Sequence, residues 1–336
     1  MMEPPWMMDN CHRALRRAWH PIALTSEVDE GTVHRIDLLG EAWAVTRLAG
    51  QVVAIGDRCP HRGAALSQGR VVDMAIQCPY HGWRFAADGA CVEIPALGTG
   101  AARPARASVA VPHAIDERYG IVWMAPEAPI TPLVELPEWG SSEFALVQGG
   151  ASTWRAGAAQ MADNFLDVAH FPFTHLATFG VADDQVVPDH EVRRDGWGID
   201  VTHAHLAVAA DPADPVPEPR EQAFHLRAPF TIVLRLRYLR SGDEIAVLFA
   251  IQPVDATTSR LYRWNLRNAA AAGRRSAEEH ERLDALVVDE DRILLERFES
   301  KSLPLDLRAE IHTKADRATV ELRRLLSDLC ALRAAA

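Results

Sequence analysis

Two short loops, Cys59-Pro60-His61 and Cys78-Pro79-Tyr80-His81, restrict what this chain can fold into more than any other feature. Each sets a thiol and an imidazole one or two residues apart, beside the turn-forming residues Gly63 and Gly82. Thiolate and neutral imidazole are strong ligands for iron and zinc, and two such pairs complete a four-ligand site. Donors that converge from two directions belong at the tips of tight turns between strands. A second cluster follows about 85 positions later: Asn164-Phe165-Leu166-Asp167-Val168-Ala169-His170, with His175 beyond it. Two imidazoles with a carboxylate suit a mononuclear non-haem iron that keeps coordination positions open.

The 336 residues fit two domains rather than one small core. A net charge of −11 argues against nucleic acid and anionic membranes, which need a basic face, and leaves a basic protein partner open. The first twenty residues lack a signal-peptide core, and no run of eighteen apolar residues follows. With five cysteines, an odd number, the expectation is a cytoplasmic protein whose cysteines are ligands or bystanders. Cys11, Cys91 and Cys330 fall in the second group. No Gly-rich dinucleotide fingerprint follows a strand, so the chain is expected to bind neither NADH nor flavin.

From residue 17 to 125, short apolar runs such as Val52-Val53-Ala54-Ile55 and Ile121-Val122-Trp123-Met124 are punctuated by Gly and Pro, which predicts an all-β domain. Pro126, Pro129, Pro132 and Pro137 mark a linker. Residues 126–336 read as mixed. Met161, Phe165 and Val168 predict a helix over Ala158 to His170, ended or kinked by Pro172. Asp167 and His170 would then share a helix face, with His175 returning from the following turn. Strands are predicted at Thr231 to Leu239 and Glu244 to Gln252, joined at Ser241-Gly242-Asp243. Asp211 to Pro219, with four prolines, reads as an irregular loop, either a plain connection or a lid. Ser276 and Glu279 form a capping box for a helix carrying Leu283, Val287, Leu294 and Phe298, and a last helix covers Asp316 to Leu329.

Residue types alone leave the first cluster open between an iron–sulfur site and a Cys2His2 zinc site, although Cys-x-His is not the usual zinc-finger spacing. CPHRG followed by CPYHGWRF resembles the Rieske signature of ring-hydroxylating oxygenases, and DNFLDVAHFPFTH resembles the mononuclear-iron segment of Rieske non-haem iron oxygenases. The resemblance implies an α+β chain: a Rieske domain, then a helix-grip catalytic domain with a curved antiparallel sheet and helices. It implies a 2Fe–2S cluster on Cys59, His61, Cys78 and His81, and Fe(II) on His170, His175 and a downstream carboxylate. Asp167 would bridge the neighbouring subunit's cluster histidine, matching His81, to His170. Asn164 matches an asparagine near the iron, or is a helix-surface amide.

Asp291 is the expected third ligand. On its predicted helix it falls four after Val287 and three before Leu294, within the apolar stripe, where a carboxylate needs a partner or a metal. Its surroundings, EDRILLE, resemble the corresponding family segment; Asp289 and Glu290 compete. His203 and His205 share a strand face, expected to be exposed. Arg235 and Arg237 face either a pocket or solvent, and Phe171 and Phe173 wall a substrate site or pack in the core.

The resemblance implies the terminal oxygenase of a multicomponent monooxygenase of the demethylase-like branch. Its electrons would come from a separate reductase or ferredoxin, and its subunits would form a homotrimer. The small aromatic or heterocyclic substrate would be hydroxylated at C–H, with formaldehyde lost if that C–H is an N- or O-methyl. The alternatives are a cis-dihydroxylating dioxygenase and a Rieske electron carrier, for which about 125 residues would suffice.

Overall fold

The structure, a computed structural model, describes residues 6–98, 100–104, 106–208 and 216–334. The chain divides into two compact units: Arg16–Ile130, and Met1–Leu15 together with Thr131–Ala336. The boundary at residue 130 falls within the proline-rich stretch.

The Arg16–Ile130 unit is built from short antiparallel strands, as the punctuated apolar runs predict. One three-stranded sheet joins Ala114–Arg118, Ile121–Ala125 and His20–Leu24, and another joins His34–Leu38, Glu41–Leu48 and Gln51–Gly56. A four-stranded sheet runs Arg70–Val72, Ala75–Gln77, Arg84–Phe85 and Cys91–Glu93. Ala44, Ile55, Leu66, Ile76, Phe85 and Ile94 form a core that includes Cys59 and Cys78. The two loops therefore start from a rigid apolar base.

In the other unit, seven strands form one antiparallel sheet. They are β1 (Phe144–Trp154), β2 (Glu191–Asp195), β3 (Gly198–Val208), β4 (Pro217–Arg227), β5 (Thr231–Tyr238), β6 (Glu244–Asp255) and β7 (Thr258–Asn268), in spatial order β1-β7-β6-β5-β4-β3-β2. The helices are α1 (Ala158–Leu166), α2 (Phe171–Thr174), α3 (Ala269–Arg274), α4 (Ala277–Leu295) and α5 (Arg317–Ala334). Phe165 of α1 stacks on Phe249 of β6 at 4.7 Å and meets Trp154 edge-on. Asp284 of α4 binds Asn265 of β7 at 2.7 Å and Arg263 at 2.6 Å. The helices thus grip one sheet face, as the α+β expectation requires.

The N-terminal segment is tied into this unit by Asn10, which is 1% exposed. Its amide donates to Asp255 O, Thr258 O and Ser259 Oγ, and its Oδ1 accepts from Ala158 N. Gly157, the N-cap of α1, offers no side chain, so a residue almost 150 positions away satisfies a helix-end N–H.

Three local expectations change. The helix from Ala158 stops at Leu166, because Asp167 adopts an extended backbone and its Oδ1 accepts from Ala169 N. Asp167 and His170 therefore share no helix face. Pro172 does not end a helix but sits in the first turn of α2, where its missing N–H has no intrahelical partner to lose. Of the proline-rich stretch, residues 211–215 lie outside the described residues, while Pro217 and Pro219 belong to β4. Leu239 N donates to Pro219 O, so the edge of Pro219 lacking an N–H faces the end of β5, where that gap is tolerated. The β5–β6 hairpin forms as expected, with Gly242 at φ +75°.

Candidate functional site

The two Cys–His loops close with matching backbone bonds. Cys59 N donates to Ala64 O and Gly63 N to Cys59 O; Cys78 N donates to Trp83 O and Gly82 N to Cys78 O. Gly63 and Gly82 hold φ of +75° and +73°, the left-handed region that glycine enters freely. A Cβ on Gly82 would also come within 3.2 Å of Pro95 Cγ. The thiols are buried and His81 is exposed, so sulfur points to the core and imidazole to the surface. The His61 and His81 ring centroids lie 4.5 Å apart, and Trp83 stacks on His61 at 4.7 Å. His61 Nδ1 is shielded from water without a hydrogen-bond partner, which fits a metal ligand and not a hydrated surface histidine. Cys91 is a core residue; Cys11 and Cys330 are half-buried and lie in the other unit.

The second cluster converges from the two ends of one short helix and from a distant longer one. His170 caps α2, His175 follows it, and Asp291 lies on α4. The two Nε2 atoms are 3.1 Å apart, and Asp291 Oδ1 is 3.4 Å from one and 3.2 Å from the other. One ligand atom from each residue falls within 4.8 Å of the others. Each outer ring nitrogen meets a carboxylate: His170 Nδ1 donates to Asp167 at 3.2 Å and His175 Nδ1 to Glu290 at 2.8 Å. With Nδ1 carrying the proton, both Nε2 lone pairs turn inward toward Asp291.

That arrangement calls for a cation. Asp291 Oδ1 is buried and makes no hydrogen bond of acceptable geometry despite its short distances to both rings. Burial opposes charge on His170, yet Asp167 and Asp291 outweigh it and hold the imidazole up at about 9. Burial likewise opposes charge on Asp291, but the two imidazoles bring it down to about 2. The field thus favours positive charge between the three donors, and a divalent metal would use that field while displacing the proton. The residues fit the group.

Asp289 turns outward to Arg292 at 2.9 Å, while Glu290 holds His175 and accepts from Thr178 Oγ1, so neither competitor faces the other donors. The buried line of α4 runs His280, Val288, Asp291, Leu295; Leu283 and Val287 line a cavity, and Phe298 is exposed beyond the helix. The capping box forms as expected.

The three donors stand at one end of a cavity of about 230 Å³ walled by Phe171, Phe179, Phe224, Leu234, Val247 and Phe249. Asn164 lines it too, its Nδ2 buried and without a partner. Phe171 is a wall residue, but Phe173 is 65% exposed. His203 and His205 do share a face, but the inner one: His203 is buried against His190, and His205 pairs across to Arg220. The expected exposed face is wrong because the sheet's inner face here carries polar side chains. Arg235 and Arg237 lie on the outer face, bound to Glu138 and Glu221. Sequence reasoning misses Arg220, Gln222 and His280 at this site, and takes Glu290 only as a rival to Asp291, not as the partner of His175. Only the adjacency of Glu290 to Asp291 offered a signal.

Residues 18–112 match the Rieske [2Fe-2S] domain family, and residues 154–332 match the vanillate O-demethylase oxygenase C-terminal domain family. The chain belongs to this family of Rieske oxygenases: it is an oxidoreductase that uses O2, with a 2Fe–2S cluster and a mononuclear non-haem iron as cofactors and a separate electron donor. Among characterised relatives it is similar to the methylxanthine N1-demethylase NdmA of Pseudomonas putida, 28% identical over 94% of this chain and 89% of that protein. The N3-demethylase NdmB of the same organism is 27% identical over the same shares. The solved structure of NdmA with caffeine superposes with a TM-score of 0.86 at 25% identity, covering 98% of this chain and 94% of that one. Dicamba monooxygenase bound to 3,6-dichlorosalicylic acid shares the fold, with a TM-score of 0.79 at 21% identity over 96% and 99%. No helix among the described residues is long and apolar enough to cross a membrane.

Proposed function

We propose that the protein is the terminal oxygenase of a multicomponent system that removes an N- or O-bound methyl group from a small aromatic or heterocyclic compound. In this reading Cys59, His61, Cys78 and His81 hold the cluster, and His170, His175 and Asp291 hold the iron. The observation that carries it is the convergence of those three donors at one end of a largely apolar cavity. The demethylase names of the full-length relatives support the reaction class.

When bound, the cluster supplies electrons one at a time and the iron supplies oxygen activation. The chain does the rest. Its phenyl and aliphatic walls exclude water and press the substrate toward the donors. Asp167 and Glu290 fix both imidazoles in the tautomer that presents Nε2. Asn164 Nδ2 is available to the substrate or a water at the reacting end. Overall, a methyl C–H, O2, two electrons and two protons give the hydroxymethyl compound and water. An N- or O-hydroxymethyl group then releases formaldehyde and restores N–H or O–H.

Asp167 has a second part in this reading. Its carboxylate is 27% exposed, and it links His170 to a surface where a neighbouring subunit's His81 could dock. A homotrimer would provide that neighbour for every subunit. The working compartment in this reading is the reducing cytoplasm, which keeps Cys59 and Cys78 as thiols for the cluster.

The test is a single turnover of chemically reduced protein with O2 against methylated aromatic and heterocyclic amines and ethers. Formaldehyde with demethylated product is expected. Hydroxylated or cis-dihydroxylated rings without formaldehyde would replace this reading with ring oxidation.

A further inference from the structure

The cavity contains a buried cation to which the reaction assigns no part. Arg220 points inward from β4, is 3% exposed, and lines the cavity together with His175 and Asp291. Its Nη1 donates to Tyr238 Oη at 3.1 Å, and its Nη2 to His205 Nε2 at 2.8 Å and Gln222 Oε1 at 3.3 Å. All three acceptors are uncharged: burial, reinforced by Arg220 itself, holds His205 down at about 3. Arg220 Nε and Gln222 Nε2 are both buried donors without acceptors.

Of the other buried arginines, Arg263 has Asp284 at 2.6 Å and Arg323 has Asp163 and Glu310, while Arg267 binds the Arg275 carbonyl and does not line the cavity. Glu218, the inward residue before Arg220 on the same strand, gives its Oε2 to the backbone N–H groups of Arg240 and Ser241. Among the described residues no carboxylate lies within ion-pair distance of Arg220. The faces of Phe179 and Tyr238, 4.8 and 5.5 Å away, offset part of the burial cost. Two cation–π contacts return less than the burial of an unpaired ion costs. The balance leaves the guanidinium short of an anion.

We propose that Arg220, with Gln222, anchors a carboxylate of the substrate, so that the compound oxidised is a small aromatic or heteroaromatic acid. This rests on the reading above that His170, His175 and Asp291 mark the reacting end. Phe179 supports the span: it stacks on His175 at 4.7 Å and lies under the Arg220 guanidinium. The His175 ring and the guanidinium are therefore no more than about 10 Å apart, a span that a ring bearing a carboxylate on one side and an N- or O-methyl on the other can cover. A guanidinium meets a carboxylate through parallel N–H donors, and the carboxylate's second oxygen can also accept from Gln222. A neutral methylated ring would leave those donors unmet.

The experiment compares matched probes: 3- and 4-methoxybenzoate against 3- and 4-methoxybenzamide, titrated calorimetrically and without oxygen into iron-loaded protein. At least one acid is expected to bind roughly 10- to 100-fold more tightly than its amide, the range for a charge-assisted hydrogen-bonded pair. Arg220→Met should abolish that preference while the amide's affinity shifts only a few-fold. Amides binding as tightly as acids, no acid binding at all, or an undiminished preference in Arg220→Met would each overturn the proposal. The wild-type comparison decides the matter even if the variant fails to fold. Formaldehyde from neutral methylated compounds is read separately, so the demethylase reading can stand when the carboxylate anchor falls.

Discussion

Replacing Glu290 with leucine should weaken iron binding by about 30-fold while leaving the 2Fe–2S cluster untouched. Glu290 accepts from His175 Nδ1 at 2.8 Å, and His175 is 1% exposed, so no water can take the lost acceptor's place. An orphaned buried donor costs about 1–3 kcal/mol, and loss of a carboxylate behind a metal-binding imidazole lowers metal affinity roughly 10- to 100-fold, or about 1.4–2.7 kcal/mol. The two ranges overlap near 2 kcal/mol. Glu290→Gln keeps an oxygen acceptor without its charge and should lose about half as much free energy, roughly fivefold. Thr178→Val removes only the hydroxyl that supports Glu290 and should change least. The assay is anaerobic competition with an iron chelator, and the Rieske absorption serves as an internal control because its proposed ligands lie in the other unit. An iron Kd within twofold of wild type in Glu290→Leu would refute the claim that this carboxylate orients His175.

Asp291→Ala should lose the mononuclear iron yet keep the Rieske spectrum; tight iron retained would transfer the ligand role to a neighbour. Asp167→Ala should retain both metal centres but transfer electrons too slowly for turnover, and full steady-state activity would end the bridging role. Asn10→Ala removes four hydrogen bonds, two of them buried, around α1 and the β6–β7 turn, and should destabilise that unit by about 2–4 kcal/mol in a denaturant titration. Burial holds His280 down at about 4 against an ordinary 6.5, with Arg267, Arg275 and Arg263 adding to the effect. Its contribution is therefore present above pH 6.5 and is lost as pH falls toward 4, up to about 3 kcal/mol. In His280→Leu the difference between denaturation midpoints at pH 7 and pH 4.5 should shrink; an unchanged difference would show that other groups govern acid unfolding.

The chemistry was legible in the chain because ligand type and short spacing are local properties. Cys59, His61, Cys78 and His81 sit in loops whose glycines already specify the turn, and His170 and His175 are five residues apart. Asp291 could be located because a carboxylate within an apolar stripe has few other uses. The capping box at Ser276 and the hairpin at Gly242 are likewise settled within a few residues.

What only the folded chain decided depends on contacts between distant residues or on which face of a strand turns inward. Glu290 meets His175 across 115 positions and Asn10 meets Ser259 across 249, separations that no local pattern encodes. Asp167 leaves the helix because its carboxylate finds Ala169 N–H and His170, a competition that apolar periodicity cannot register. Polar alternation along β4 looks like a solvated strand, yet Glu218, Arg220 and Gln222 are the buried side. A strand's period of two says which residues share a face, and only the helices laid over one side determine which face is hidden. The sequence by itself thus named the candidate metal donors; tertiary structure brought His170, His175 and Asp291 together and decided what surrounds them, because burial and long-range pairing are properties of the assembled sheet and helices.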